Sequence, residues 1–175
     1  DASYVFEPWG DLFEQAGKPK ELLRLKGKVY EEFEKVIREV IPRVKAAEAV
    51  HALRADLNLY PEQLQAALVS YVYNQAGLES RCINFDDEDF PLVVKGHYLN
   101  GTPDLEKTGE ACNKISLTQG KNVILPGYGG LDDGVRKTLG RGGSDTAAFA
   151  YGYGFNASDI WLMTDVEGIK RAIIN

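Results

Sequence analysis

Apolar residues recur at three- and four-residue steps from Pro19 onward. Leu22, Leu23, Leu25, Val29, Phe33, Val36, Ile37 and Val40 are separated mainly by Lys and Glu. This period predicts an amphipathic helix, and Pro42, just after Ile41, breaks or kinks it. Residues 43–55 are Ala-rich and only weakly helical by pattern, and 50–53 also fit a short buried strand. A second helix is predicted to start at Pro61, whose ring suits a first helical position, with Glu62 at the positive end of the helix dipole. Leu64, Ala67, Leu68, Tyr71 and Val72 form its apolar face, and Gly77 supplies the stop. Residues 1–18 show no clean period and read as loop with at most a short helix.

Beyond Gly77 the pattern shortens. Residues 79–85 read as a strand, followed by the acidic run Asp86, Asp87, Glu88 and Asp89. Thr102, Pro103 and Asp104 supply a cap, a first-turn proline and an acid for a third helix, which Gly120 ends. Residues 122–125 are a short apolar strand of the kind buried on both faces of a parallel sheet. A glycine-rich stretch, 126–143, leads into a helix from Ser144 to about Tyr153, and 159–164 reads as a last strand. Strands alternating with helices argue an α/β fold with a mainly parallel sheet.

Composition narrows the function. The chain has 175 residues, enough for one compact domain, and 44% apolar against 26% charged residues exclude a disordered chain. A net charge of -6 without a basic stripe argues against a nucleic-acid partner. No apolar run approaches the ~20 residues of a membrane-spanning helix, and no signal peptide opens the chain. Cys82 and Cys112 lack metal-ligand spacing and read as reduced, buried thiols of an intracellular, cytoplasmic protein. The first residue is Asp1 and the only methionine is Met163, so the sequence reads as an internal piece of a longer chain.

The chemistry concentrates in Leu139-Gly140-Arg141-Gly142-Gly143-Ser144-Asp145. Glycines let backbone N–H groups approach a ligand, Ser144 stands where a helix N-cap is expected, and a helix start attracts anions. Arg141 adds a planar fork for a carboxylate or phosphate. A glycine-rich surface turn with a capping serine explains the same residues. The context favours a ligand: Pro126-Gly127-Tyr128-Gly129-Gly130 follows a buried strand, and α/β sheets bind ligands beyond the carboxyl ends of their strands.

Residues 139–145 resemble the LGRGGSD signature of the aspartokinases, within the amino-acid kinase family. Residues 160–169, with Thr164, Asp165 and Gly168, look like that family's WTDVDGI-type strand and loop, and the order of motifs matches over about 58–170. Tyr60 to Leu64 is similar to its GEXLS helix start, and Leu99 to Asp104 more loosely to a substrate-side loop. The resemblance implies a single catalytic domain over 1–175, folded as a three-layer α/β/α sandwich and lacking a regulatory domain. It implies ATP-dependent phosphorylation of the β-carboxylate of L-aspartate, the first step of lysine, threonine and methionine biosynthesis. ATP is the donor and carries Mg2+ with it, and the full-length protein is expected to be a homo-oligomer with no nucleic-acid or membrane partner.

Roles follow from the resemblance. Glu62 would face the substrate ammonium, Arg141 the α-carboxylate, and Ser144, Gly142 and Gly143 the substrate and phosphates. Asp145 would orient a catalytic lysine. Thr164, Asp165, Gly168 and Lys170 would line the nucleotide side. The family's opening Lys-Phe-Gly-Gly strand has no counterpart in residues 1–30, so this stretch by itself is expected to be inactive. Two alternatives stay open: a glutamate-type kinase of the same family, and a non-catalytic module binding a nucleotide or amino acid. Elsewhere, the acidic run 86–89 reads as a solvated loop rather than a cation site. His51 and His97 read as structural, and Tyr71, Tyr73, Tyr151, Tyr153 and Phe155 as packing aromatics.

Overall fold

The computed structural model describes residues 47–163 apart from Gln119, together with Gly27, Glu31, Glu34 and Arg38. The chain divides into two units, Asp1–Leu57 and Asn58–Asn175. In the first, Gly27, Glu31, Glu34 and Arg38 are helical and exposed, the spacing of a polar helix face, and Arg38 reaches Glu34 at 3.0 Å. The apolar face predicted beside them lies outside the described residues.

Helix α1 (Ala47–Gln75) runs unbroken, which replaces both the weak helix or strand expected at 43–55 and the start expected at Pro61. Pro61 sits inside it and removes one backbone hydrogen bond. The fully buried Leu59 and Leu68 on either side hold the helix in place. The helix ends as Gly77 predicts: with φ of 80°, its N–H donates to the Asn74 carbonyl and the Leu78 N–H to that of Tyr73. The Asn74 side chain then accepts from the Ser80 N–H and donates to the Ser80 carbonyl, which ties the helix end to β1.

Strand β1 (Ser80–Cys82) pairs in parallel with β4 (Asn122–Ile124), with Arg81 opposite Val123. β4 is half-buried rather than covered on both faces. Strands β2 (Val94–His97) and β3 (Asn100–Pro103) form an antiparallel hairpin. Thr102 and Pro103 therefore belong to a strand, and Asp104 alone caps α2 (Leu105–Cys112), accepting from the Lys107 N–H at 3.1 Å. α2 stops at Cys112, capped by Asn113, well before Gly120. Asn113, Lys114 and Ser116 extend no apolar face that would carry it further.

The glycine-rich stretch holds a second hairpin, which hydrophobic periodicity alone does not predict. β5 (Gly129–Asp132) and β6 (Val135–Thr138) pair antiparallel around Asp133 and Gly134, both at positive φ, 49° and 78°. An Asp-Gly pair of this kind matches the right-handed twist of a two-residue hairpin turn. The hairpins join where the Leu131 N–H donates to the Leu92 carbonyl and the Thr138 N–H to that of Tyr98. Gly130 is required there, because a methyl group on it would stand 2.3 Å from the Leu92 carbonyl oxygen. Leu59, Ile83, Phe85, Leu92 and Val94 centre the core beneath this contact.

Helix α3 (Gly143–Gly154) packs on α2, with Gly154 against Cys112. Residues 159–163 form no strand, contrary to expectation. Trp161 and Met163 are exposed, Ile160 folds back onto Gly152, and no partner strand stands beside them among the described residues. Among the described residues one strand pair is parallel and two are antiparallel, so the fold is a mixed α/β arrangement.

Candidate functional site

Both ends of the β5–β6 hairpin meet the same point. Before β5, Tyr128 takes a φ of 66° and the Gly129 N–H closes a three-residue turn on the Gly127 carbonyl. A non-glycine residue in that region carries strain that its surroundings must offset. Here the Tyr128 carbonyl accepts from the Leu139 N–H at 2.8 Å, and the Tyr151 hydroxyl donates to the Pro126 carbonyl at 2.9 Å. Burial pushes the Tyr151 phenol well above its ordinary value, so it stays a neutral donor.

After β6 the chain turns through Gly140 to Gly143, the Gly143 N–H donating to the Gly140 carbonyl at 3.0 Å. Each glycine has its own reason. Gly140, at φ 73°, lies against the Asn100 side chain, and Gly143 is buried against Leu139 and Tyr128. Gly142, at φ 74°, faces open space. It is also the N-cap of α3, which corrects the cap expected at Ser144. The left-handed backbone turns the chain into the helix without a side-chain cap, and Ser144 becomes a first-turn residue. The first helical bond runs from the Thr146 N–H to the Gly142 carbonyl, so the N–H groups of the first turn precede the ladder. Arg141, Gly142, Ser144 and Asp145 are all exposed around that helix start.

Glu62 arrives from α1. The backbone N–H of Gly127 favours its ionised carboxylate. A methyl group on Gly127 would lie 3.5 Å from Glu62 Oε2 and 3.7 Å from Cα and Cβ of Ser144. Glu62 and Ser144, far apart in sequence, thus flank Gly127. Burial raises the Glu62 carboxyl above its ordinary value, opposed by the Gly127 hydrogen bond. The site therefore has a half-buried acid on one side and a helix N-terminus with Arg141 on the other. This polarity suits a zwitterion: ammonium toward Glu62, carboxylate toward Arg141 and the α3 dipole.

Of the residues singled out in the sequence, Glu62 and Ser144 flank Gly127, and Arg141, Gly142, Gly143 and Asp145 neighbour Ser144 along the chain at the α3 start. Thr164, Asp165, Gly168 and Lys170 lie outside the described residues. Gly127 and Tyr128 were not assigned roles from sequence, although their place just after strand 122–125 marked them. Among the described residues no group of three or more His, Cys, Asp or Glu could hold a metal ion, and no helix is long and apolar enough to cross a membrane. Cys82 is half-buried and Cys112 buried, with burial pushing both thiols up to about 11. A cleft of about 1080 Å³ between α2 and α3 is lined by Leu105, Phe149, Tyr153 and Ile160 and includes none of the site residues. The polarity described above, not volume, marks the site.

Comparison with known proteins gives the family. The model of the amino acid kinase family matches residues 20–172, and the chain belongs to that family. An aspartokinase of a Bacillus species is 44% identical over 109 residues, 62% of this chain and 26% of its own. A bifunctional aspartokinase/homoserine dehydrogenase of Haemophilus influenzae is 26% identical over 126 residues, 71% of this chain and 15% of its own. The chain thus spans about a quarter or less of these curated relatives. Among solved structures, E. coli aspartokinase III in complex with aspartate and ADP superposes with a TM-score of 0.58 at 23% identity, over 74% of this chain and 30% of that one. At that identity the likeness speaks for the fold.

Proposed function

We propose that this chain carries the amino-acid site of an ATP-dependent kinase that phosphorylates the β-carboxylate of L-aspartate. The observation that carries the reading is the convergence of Glu62 and the α3 start on Gly127. A carboxylate facing a helix N-terminus and an arginine matches the ammonium and α-carboxylate of an amino acid, with the side chain left to react. The names of the relatives and the aspartate and ADP held by the E. coli structure support the same substrates. The finer fold that accompanies this reading is the three-layer α/β/α sandwich.

In the mechanism, an oxygen of the aspartate β-carboxylate forms a bond to the γ-phosphorus of ATP, the bond to the β,γ-bridging oxygen breaks, and ADP leaves. The nucleophile is already ionised at neutral pH, so no general base is needed. The protein positions and neutralises charge. Glu62 orients the ammonium and Arg141 grips the α-carboxylate in two hydrogen bonds. The N–H of Ser144, in the first turn of α3, faces the charge that develops during transfer. Asp145, in the first turn of α3, orients a cation rather than taking a proton. Thr164, Asp165, Gly168 and Lys170 line the nucleotide side, and Mg2+ enters with ATP as part of the substrate.

A coupled assay of ADP release with L-aspartate and L-glutamate, run on the full-length protein that carries this stretch, tests this. Release with L-aspartate alone is expected. Equal release with both marks a glutamate-type kinase, and binding of L-aspartate without ADP release marks a non-catalytic module.

A further inference from the structure

Glu62 can act on an ammonium only if α1 is held at a fixed height over Gly127, whose N–H favours the Glu62 carboxylate. The next residue along α1 supplies a second tie. Gln63 Nε2 donates to Asp86 Oδ2 at 3.1 Å, and Asp86 Oδ1 accepts from Arg136 Nη2 at 2.6 Å. Arg136 lies on β6 with its side chain only 15% exposed and its guanidinium 5.6 Å from the Phe85 ring centroid. Phe85 is a buried core residue whose ring lies tilted against that of Phe90, centroids 4.7 Å apart. The acidic loop expected to be merely solvated is therefore a bracket. Its first acid joins α1 to the hairpin whose two ends, Gly127 and the Gly140 to Gly143 turn, form the site.

We propose that Gln63 and Asp86 are positioning residues, which fix Glu62 over Gly127 by tying α1 to Arg136 of β6. The assignment rests on the substrate reading above only for its effect on aspartate; the effect on Gly127 is independent of any ligand. Asp86 has one oxygen for each partner, so neither bond competes with the other. Gln63→Ala cuts the tie to α1 and leaves the Asp86–Arg136 pair intact, in a helix that favours alanine.

The experiment is amide hydrogen exchange of Gly127, with Leu131 as the reference amide of the hairpin junction, in the wild type, Gln63→Ala, Asp86→Ala and Asp86→Asn. Binding of L-aspartate and ADP is measured alongside by calorimetry. In Gln63→Ala the protection of Gly127 is expected to fall several-fold while that of Leu131 stays. The aspartate Kd should rise about three- to ten-fold, the net worth of one hydrogen bond, with ADP unaffected. Asp86→Ala should act likewise on Gly127, and Asp86→Asn, which can still accept from Arg136 and bond a flipped Gln63, should restore it. Unchanged Gly127 protection in Gln63→Ala, or a fall shared equally by Leu131, overturns the inference. A wild type that binds no L-aspartate strikes the substrate reading alone, because the exchange result still decides the bracket.

Discussion

Gly127→Ala separates binding from folding at the centre of the site. The added methyl would stand 3.5 Å from Glu62 Oε2 and 3.7 Å from Ser144, ordinary contact distances without a clash. Gly127 is not among the residues at positive φ, so alanine meets no left-handed strain there. A compatible Gly→Ala change stabilises by about 0.4–1 kcal/mol through the unfolded chain. Stability should therefore stay within about 1 kcal/mol of the wild type. Binding should not. The methyl fills the gap between Glu62 and Ser144, so the ammonium loses a charge-assisted hydrogen bond worth about 1.5–3 kcal/mol, or about ten- to a hundred-fold in Kd. Urea unfolding and calorimetric titration with L-aspartate give both numbers on one preparation. Gly130→Ala is the contrast, because its methyl would stand 2.3 Å from the Leu92 carbonyl oxygen and 2.7 Å from Val94 Cγ2. Backbone cannot yield as a flexible side chain can, so that variant should lose about 1–3 kcal/mol or more. Wild-type aspartate affinity in Gly127→Ala, or destabilisation matching that of Gly130→Ala, would refute the reasoning.

In the full-length protein, Arg141→Lys should raise the aspartate KM far more than the ATP KM, by about 1.5–3 kcal/mol for the lost two-pronged contact, and steady-state kinetics with each substrate varied decides it. Glu62 holds its proton more tightly when folded, so its ionisation costs stability above the unfolded value near 4.5, and the cost disappears as pH falls through the raised pKa. Glu62→Gln should thus be at least as stable as the wild type at pH 7, lose that advantage in acid below about 4.5, and bind L-aspartate poorly. Asp132 works in the opposite sense: hydrogen bonds from Lys137 and Lys95 hold its carboxyl down at about 2 from 3.8. Its contribution is present above 3.8 and is lost as pH falls through about 2, and Asp132→Asn should remove that step from an acid unfolding curve followed by circular dichroism.

The contrast between what could and could not be read in advance has physical causes. Gly77 as a helix stop and Asp104 at a helix start are local effects, and both appear where short-range pattern puts them, although Asp104 alone forms the cap. Pro61 misled because its ring is equally at home in a first turn and, at some cost, inside a helix anchored by Leu59 and Leu68. The β5–β6 hairpin has its turn signal in Asp133-Gly134, but the surrounding glycines mask it, since glycine serves turns, close packing and ligands alike. Glu62, Ser144 and Arg141 were found through their motifs. That Gly127 joins them, and that Asp86 braces α1 against Arg136, are contacts across long sequence separation that no periodicity encodes.

The central claim is that an amino acid binds between Glu62 and the start of α3. The direct measurement is a titration of the ¹⁵N-labelled protein with L-aspartate, followed amide by amide in NMR spectra. Saturable shifts centred on Gly127, Gly142, Gly143 and Ser144, absent in Arg141→Ala, are predicted. Shifts centred instead on the cleft between α2 and α3, around Gly109 and Tyr153, or no saturable shift at Gly127, would contradict it.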